Sequence, residues 1–396
     1  MTTFEPSNVQ VGAELEGLPM FADFLRQACR TTQPGDKVTW DVRVSGSMLA
    51  HAASLARRMD FTTEDALGQT FVNARTPKSP VIAWLSKSDF PSWLALFERC
   101  FGHSMPRAQW DWKYRDTLNP GIGVWIEGQL IAFYGGMPRH ILWMGEPQTG
   151  IQIGDVMVHP EHKSSLNRKG PFQMAASTFL EHTLSQGASY WAGFGFPNHR
   201  AMLVAHKLGL YEPVDQIAQL AWPAKAHGWP WWLELSEVTP HANGLGFIDK
   251  LWPQMAKAFS SSVLGRRDQA YIQIRYMSHP TIAYKVLRLR HKVWRHDLGC
   301  LVVRPHTDRR LEVMDWIAPP KNFSRLIVAV RFLAAQLDCT EAYTWITQSH
   351  ENLLLGPETT RELLDVVIPN NSWVEGNPKS VPKNQWWLTS GDTDFK

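Results

Sequence analysis

The stretch GDVMVHPEHKSSLNRKGPFQMAASTFLEHTLSQGASYWAGFGFPNHRAMLVAHKLGLYEP, residues 154–213, decides the fold. It starts as an apolar strand ending at His159-Pro160, continues as a polar loop, and then predicts an uninterrupted helix from about 172 to 186. Backbone amides, a helix dipole and cationic side chains coincide in the loop, which therefore predicts an anion site suited to a pyrophosphate. A solvated loop is the alternative interpretation. The loop residues concerned are Lys163, Asn167, Arg168, Lys169 and Gly170.

The flanking sequence predicts short strands and helices. Turn signals at Glu127-Gly128 and Gly145-Glu146 separate neighbouring apolar runs, as in antiparallel hairpins. Such meandering strands combined with helices predict the α/β class with a mixed sheet rather than an all-parallel one. The predicted strands are 81–84, 124–126, 130–134, 139–144, 151–158 and 189–194, and the predicted helices are 90–101, 172–186 and 199–208.

This pattern resembles the GNAT superfamily, the acetyl-coenzyme-A-dependent N-acyltransferases. The strand ending in His-Pro, the loop from Asn167 to Phe172, and the later segments 195–198 and 207–210 occur in the order and spacing of that family. The resemblance covers roughly 81–222, and a weaker copy extends to the C-terminus. It therefore implies two tandem GNAT-like mixed-sheet domains and an acetyl-CoA or other acyl-CoA cofactor.

The resemblance also implies a role for each matching position. The backbone at Met157 and Val158, on a strand that splays from its neighbour, would pair with the pantetheine arm, and Asn198 would lie near it. Asn167 and Phe172 occupy the first and last positions of the motif Arg/Gln-x-x-Gly-x-Gly/Ala, and both depart from it. The residues expected to hold the pyrophosphate are Asn167, Arg168, Lys169, Gly170 and Phe172.

Amine acylation needs a base and often an acid for the leaving thiolate. Asp155, two residues before the expected pantetheine contact, is the candidate catalytic base, directly or through water; a structural carboxylate bonded to a backbone amide is the alternative. The general-acid Tyr of many GNAT enzymes would fall at Ala205, so that role is absent. His206 should point elsewhere, and Tyr211 is a weak substitute. His159 is interpreted as a structural residue at the strand end.

The second half of the chain repeats landmarks of the first. Residues 112–114 (Trp-Lys-Tyr) resemble 274–276 (Ile-Arg-Tyr), and each set is followed by a strand-closing Pro and a helix opened by Phe. The loop before the second of these helices is only 318–322, so the second copy lacks the phosphate loop. We interpret it as a degenerate domain that lines the acceptor pocket.

The N-terminal residues predict a small helical module. Its segment Gly46-Ser47-Met48 opens a helix and resembles the Asp-Ser-Leu motif of acyl carrier proteins, whose Ser bears phosphopantetheine. Ser47 matches and its two neighbours do not; an ordinary N-cap in a helical extension is the alternative. The predicted domains are therefore 1–75, small helical and carrier-like, 80–225, GNAT-like, and 235–396, degenerate GNAT-like.

Composition excludes several classes of protein. The chain has 396 residues, 44% of them apolar and 19% charged, with a formal net charge of +3, which excludes disordered and collagen-like proteins and predicts several folded domains. Neither an export signal nor a membrane span is recognisable, so we expect a soluble, cytoplasmic protein without a membrane partner. The cysteines form no CxxC pair, which argues against a disulfide framework or a zinc site: Cys29, Cys100, Cys300 and Cys339.

The expected function is transfer of an acetyl or other acyl group from coenzyme A to the amine of a small-molecule acceptor. Two alternatives stay open: acyl or aminoacyl transfer from a carrier protein or charged tRNA in natural-product assembly, and a non-catalytic GNAT-fold binding protein. The basic cluster 288–296 suits an acidic acceptor or RNA, or is a solvated strand edge. The pairs Trp231-Trp232 and Trp386-Trp387 are interpreted as fillers of cores and seams rather than ligand-stacking platforms.

Overall fold

The chain forms two compact units, and the predicted α/β class with mixed sheets is confirmed. The first unit comprises Met1–Met137, Ile153–Ser189 and Trp373–Glu375, and the second comprises Pro138–Gln152, Tyr190–Ser372 and Gly376–Lys396. The computed structural model describes residues 8–11, 24–25, 28, 32–33, 35–40, 46–64, 70–74, 79–162, 170–185, 187–238, 244–371 and 382–393.

The N-terminal segment contains a small sheet as well as a helix. Its strands lie in the order β1-β2-β4-β3, with β1 parallel to β2. This corrects the expectation of a purely helical module; the strands have three or four residues each, too few to show alternation in the sequence. The elements are β1 (Asn8–Val11), β2 (Lys37–Trp40), α1 (Gly46–Arg58), β3 (Phe61–Thr63) and β4 (Thr70–Asn73).

The rest of the first unit follows the predicted order. The turn at Glu127-Gly128 has φ values of 50° and 81°, the left-handed conformation that a two-residue hairpin requires. The strands predicted at 130–134 and 139–144 form one long strand, since pairing continues through Gly135. The elements are β5 (Val81–Trp84), α2 (Phe90–Phe101), α3 (Arg107–Lys113), β6 (Gly121–Ile126), β7 (Gln129–Trp143), β8 (Glu146–Val158) and α4 (Pro171–Leu184). Of these, β7 from Pro138 onward and β8 up to Gln152 belong to the second unit.

Helix α4 is buried along its last ten residues. On one side, the rings of Trp84 and Tyr134 lie 5.8 and 5.4 Å from that of Phe179. On another, Arg58 at the end of α1 forms an ion pair with Glu181. The N-terminal segment therefore packs directly onto the helix that follows the predicted phosphate loop.

The second unit is built on a seven-stranded sheet in the order β11-β13-β14-β15-β16-β10-β17. All its neighbours are antiparallel except β15 and β16. Its strands are β9 (Gly193–Phe194), β10 (Tyr211–Pro223), β11 (Leu233–Glu237), β12 (Val263–Gly265), β13 (Lys285–His291), β14 (Asp297–Pro305), β15 (Arg310–Ile317), β16 (Glu341–Thr347), β17 (Thr360–Asn371) and β18 (Trp386–Trp387). Its helices are α5 (His199–Lys207), α6 (Ile248–Ala258), α7 (Gln269–Ile272) and α8 (Phe323–Gln336).

Residues 211–223 fall within the predicted first GNAT-like domain, 80–225, although no strand is predicted there. They form β10, which lies between β16 and β17 in this sheet. Outside the sheet, β12 pairs with β18 and with the end of β7. Within the described ranges, every helix is too short or too polar to cross a bilayer.

Candidate active site

Strand β8 carries one extra residue near its C-terminal end. The two-residue turn at Met144-Gly145 joins β7 to β8, so a regular hairpin would place Val158 opposite Ile131. Instead, the amide of the next residue, His159, donates to the Ile131 carbonyl at 2.7 Å. Asp155 has φ +52°, which fits a β-bulge at this point. The bulge changes the direction in which the end of the strand presents its backbone groups.

The carboxylate of Asp155 is held on both oxygens. Lys113 Nζ donates to Oδ1 at 2.6 Å, and Tyr114 Oη donates to Oδ2 at 2.7 Å. The side chains of Lys113 and Asp155 are 2% and 8% exposed, so the ion pair is shielded from water. Accepting a proton from an amine would require one of these contacts to open. The geometry therefore favours a role for Asp155 in fixing the bulge.

The two residues predicted to pair with pantetheine differ in what they present. Because His159 donates to β7, the period of two directs the backbone of Met157 towards β7 and that of Val158 away from it. The Met157 side chain is buried in the core. The Val158 carbonyl accepts a bond from Cys100 Sγ at 3.4 Å. Among the described residues, β8 pairs with β9 only at Ile151 and Gln152.

The start of helix α4 has the features of an anion site. Gly170 is the N-cap, with no side-chain cap, and Pro171 follows at the first helical position. The first intrahelical bond runs from Met174 to the Gly170 carbonyl at 3.0 Å, which leaves the amides of Phe172 and Gln173 without an acceptor among the described residues. Gln173 Oε1 is buried there and also lacks a partner in that part of the chain. A pyrophosphate would fit the two amides.

The other predicted site residues, or their side chains, lie outside the described residues or in the second unit. Asn167, Arg168 and Lys169 lie outside the described residues. Asn198 belongs to the second unit, where its Oδ1 accepts from the Ala201 amide at 2.8 Å and caps α5. Ser47 is the second residue of α1, and its side chain lies outside the described set.

The second unit repeats the tyrosine–aspartate contact of the first. Tyr276, which the sequence comparison aligns with Tyr114, donates to Asp315 Oδ2 at 2.9 Å, just as Tyr114 donates to Asp155. Burial and the Asp315 carboxylate raise the pKa of Tyr276 well above its usual range, so it stays a donor. A register shift between β14 and β15 also lies next to Asp315. The repeated contact indicates that both aspartates stabilise this part of the strand.

The cation in the second unit comes from a different place. Fully buried Arg267 bonds Asp315 Oδ1 at 2.6 Å and Asp392 Oδ2 at 2.5 Å. Arg275, aligned with Lys113, instead donates to the backbone carbonyls of Gly391 and Thr393. A Cβ at Gly391 would lie 2.0 Å from Tyr276 Oη, so only glycine fits there. These contacts fix the segment 386–393 to the core of its unit.

That segment lies between β15 and β16. The two strands pair only from Arg310 to Glu312 among the described residues. Beyond this point Thr389 bridges to Ile346, and its Oγ1 donates to the Met314 carbonyl at 2.9 Å. In the second copy, the chain itself thus fills the gap that the GNAT resemblance assigns to pantetheine in the first.

The loop before α8 is also closed. Pro319 and Pro320 have no amide hydrogen, and the Asn322 amide donates to the Pro319 carbonyl at 2.9 Å. Its side-chain nitrogen donates to the Leu298 carbonyl at 2.7 Å. Among its described residues, the predicted second copy therefore has a filled strand gap and a proline-containing closed loop at these positions.

Sequence reasoning missed three residues around the site: Lys113, Tyr114 and Cys100. The two halves of the repeat contained the signal for the tyrosine, because Tyr114 and Tyr276 are both followed by an Asp at nearly the same separation, 41 and 39 residues. Nothing local identified Cys100, whose contact with Val158 spans 58 positions of sequence.

Comparison with known proteins agrees with this geometry. Residues 82–203 match the family model described as an acetyltransferase (GNAT) domain. None of the curated proteins matches the chain significantly. A protein of unknown function from Enterococcus faecalis V583, described as a probable N-acyltransferase, is similar in structure, with a TM-score of 0.55, 13% identity, and coverage of 74% of this chain and 72% of its own.

Two further solved structures are similar, both GCN5-related N-acetyltransferases. The one from Kribbella flavida has a TM-score of 0.54 and 14% identity, and covers 74% of this chain and 71% of its own. The one from Anabaena variabilis ATCC 29413 has a TM-score of 0.54 and 15% identity, and covers 73% and 72%. At such identities the likeness shows the fold alone. Residues 82–203 thus match a GNAT acetyltransferase domain, and the solved structures of N-acetyltransferases share the fold.

Proposed function

We propose that this protein transfers an acetyl or other acyl group from coenzyme A to the amine of a small-molecule acceptor. The observation that carries the proposal is the start of α4, where the amides of Phe172 and Gln173 lack acceptors within the described residues. These amides would hold the pyrophosphate, together with the predicted loop residues Asn167, Arg168 and Lys169. When bound, acyl-CoA would supply the thioester that the amine attacks, with coenzyme A released as the free thiol.

The remaining residues would position and polarise the reactants. The backbone of Val158 points away from β7 and would pair with the pantetheine arm. Met157 and Asn198 would make weaker contacts with the arm, because the backbone of Met157 faces β7 and the side chain of Asn198 caps α5. Placing amine and thioester together removes much of the entropic barrier, and an amide bond to the carbonyl oxygen stabilises the developing charge.

The proposal is tested by measuring release of the free thiol of coenzyme A with a panel of small-molecule amines. We expect turnover that depends on one class of amine and saturates with acetyl-CoA or a longer acyl-CoA. Thiol release no faster than the uncatalysed rate with every amine and acyl-CoA, at any protein concentration, would contradict it and favour a non-catalytic binding protein.

The alternative donor, a carrier protein, has its own test at Ser47. The position of Ser47 at the start of α1 matches the attachment site in carrier proteins, but Arg58 of the same helix is ion-paired with Glu181 of α4. A helix packed in this way would have to detach before its arm could swing. We therefore expect no pantetheine mass on Ser47 after coexpression with a phosphopantetheinyl transferase. A gain of that mass, absent from Ser47→Ala, would establish the carrier alternative instead. Donation by a charged tRNA would show as acyl transfer without any acyl-CoA.

The role of Asp155 is resolved by Asp155→Asn. The proposed role as base predicts a fall in kcat of about a hundredfold or more at unchanged stability. The contacts with Lys113 and Tyr114 predict a loss of stability instead of activity. The free energy of unfolding falls by about 3 kcal/mol, because Lys113 is left buried without its charge partner. The kcat per folded molecule changes by less than about tenfold. We expect the second result.

Urea unfolding and steady-state kinetics on the same preparation separate these outcomes. Tyr114→Phe is the matched control, because it removes one hydrogen bond to Asp155 and leaves the ion pair intact. A hundredfold loss of kcat in Asp155→Asn with normal stability would restore the role of catalytic base.

A further inference from the structure

Four aromatic rings stack at the end of the hairpin formed by β13 and β14. Trp232 lies 5.1 Å from His291, and Trp294 lies 4.3 Å from the same imidazole on centroids, with interplanar angles of 27° and 23°. His296 is stacked on Trp294 at 6.1 Å and 17°. We call these four residues the ring column. His296 also lies 5.4 Å from His291, too close for two imidazoles on opposite faces of one indole, so both lie on the same face of Trp294. Trp294 is 74% exposed, and its other face is open to solvent.

Only some of the positive charges around the ring column are paired with carboxylates. Within the basic cluster of the sequence, Arg288 is paired with Asp297 and Arg290 with Glu234. These ion pairs neutralise that part of the cluster. The interpretation of the cluster as a solvated strand edge is wrong, because β13 has a neighbouring strand on both sides. What is left of the cluster's charge is at the hairpin tip.

Three cations at the ring column form no ion pair among the described residues: Lys292, Arg295 and Arg325. A carboxylate near the first two, Glu234, is already paired with Arg290. Lys292 and Arg295 are exposed on either side of Val293-Trp294. Arg325 lies 5.8 Å from the Trp232 ring and bonds the neutral side chain of Asn322. The surface thus combines a flat aromatic face with an excess of positive charge.

We propose that the ring column, with Lys292, Arg295 and Arg325, is a binding site for single-stranded nucleic acid. An unpaired base stacks on the open face of Trp294, and the flanking phosphates contact the three cations. Base–aromatic stacking combined with a basic surface is the usual means of binding single strands without sequence preference. In a duplex the bases are already stacked on each other, so a duplex offers only its phosphates.

The same residues fit a membrane surface less well. An interfacial tip places several large apolar side chains into the lipid, whereas the exposed large apolar residues of this hairpin are Val293 and Trp294 alone among those described. The rings also lie flat on one another rather than projecting separately. Both features favour a planar, anionic ligand.

The first test compares two tryptophans of equal exposure. Trp231 is 75% exposed, against 74% for Trp294, and no ring of the described residues contacts it. Binding of a short fluorescein-labelled single-stranded RNA to the full chain is measured by anisotropy. Trp294→Ala is expected to weaken binding roughly tenfold, and Trp231→Ala is expected to change it less than about twofold. Equal effects of the two substitutions would overturn the proposal.

The second test addresses the charges. Lys292→Glu with Arg295→Glu is expected to weaken binding by more than about tenfold and to reduce its salt dependence, whose wild-type slope for three contacts is about −2 in log units. Lys250→Glu with Lys257→Glu, on α6, changes the net charge by the same amount and is expected to have little effect. Equal loss in both pairs would overturn the proposal by showing that only net charge matters.

Two further probes exclude other ligands. A duplex of the same sequence is expected to bind at least about tenfold more weakly than the single strand, and equal binding would overturn the stacking contact. For vesicles containing phosphatidylserine, we expect no binding that depends on Trp294. If such vesicles bind through Trp294 and the RNA does not bind, the surface is a membrane site instead. All variants are expected to retain the acyl transfer of the unmodified chain, so these outcomes are independent of the proposed function.

Discussion

Gly170→Asp is expected to remove about half or more of the protection against heat that acetyl-CoA gives the protein, while leaving the stability of the free protein unchanged or slightly higher. The reason lies in the position of Gly170 as N-cap of α4. Aspartate is a preferred N-cap residue and accepts a bond from the first helical turn, so the helix itself gains a few tenths of a kcal/mol. The same carboxylate places a negative charge where the pyrophosphate would bind, and uses one of the amides that would hold it.

The size of the effect follows from mass action. At an acetyl-CoA concentration about 100 times Kd, binding stabilises the folded state by about 2.7 kcal/mol, and a tenfold weaker complex retains about 1.4 kcal/mol. We expect a loss of at least about tenfold in affinity. Thermal unfolding with and without acetyl-CoA measures it, and isothermal titration gives Kd directly.

Gly170→Asn is the matched control, because it has nearly the same size and also caps the helix but carries no charge. We expect it to retain most of the protection. If both variants lose protection equally, the side chain blocks the site sterically and the electrostatic reason is wrong. If neither loses it, the cofactor does not bind at α4, and the proposed function loses the observation that carries it.

Arg267→Met is expected to give the largest loss of stability of any single substitution proposed here, about 3–5 kcal/mol. The side chain of Arg267 is fully buried and bonds both Asp315 and Asp392. Methionine fills most of the space, but it leaves two carboxylates without their cation. The control is Arg266→Met, one residue earlier, whose side chain is 54% exposed. Its partner Asp268 is 10% exposed but keeps a bond from the Tyr271 amide, and water screens the arginine, so the loss is expected to be under about 1 kcal/mol.

The deficit of Arg267→Met should also depend on pH. Burial already raises the pKa of Asp392, against the opposing effect of Arg267, and removal of the arginine raises it further. A carboxyl whose folded pKa exceeds its unfolded value stabilises the fold while protonated, and this contribution is lost as pH rises through the folded pKa. The difference from the wild type is therefore expected to be smaller near pH 5 than near pH 8, as measured by urea unfolding. A difference that is constant with pH, or no larger than that of Arg266→Met, would contradict this account.

The sequence predicted those elements whose signal is local. The strand at 81–84, the helix at 90–101 and the turn at Glu127-Gly128 all depend on apolar spacing or turn chemistry over a few residues, and the structure has each of them. The helix predicted to start at about 172 begins one residue earlier, at Pro171. For the site, the same kind of signal identified the start of α4 and the end of β8.

What the sequence could not predict depends on partners far apart in the chain. From the sequence, residues 211–223 belong to the first domain and no strand is predicted there, whereas the structure pairs them as β10 with β16 and β17. Likewise, the sequence around Asp155 does not show that its carboxylate is bonded by Lys113 and Tyr114, because these lie 42 and 41 residues earlier in the chain. The burial of Trp386-Trp387 and the filling of the gap between β15 and β16 by the segment that follows them have no local signature.

The place of β10 in its sheet bears on how this protein is synthesised. The strand leaves the ribosome long before β16 and β17, the two neighbours that satisfy its backbone on either side. Until they emerge, β10 is an apolar strand with both edges open, which is the form most prone to pair with other chains. A nascent polypeptide released before β16 and β17 are made would keep both edges of β10 unpaired. A fragment that ends between β10 and β16 would therefore separate a strand from the neighbours it needs. Attempts to dissect the protein into separately expressed fragments should accordingly keep residues 211–223 with the C-terminal part.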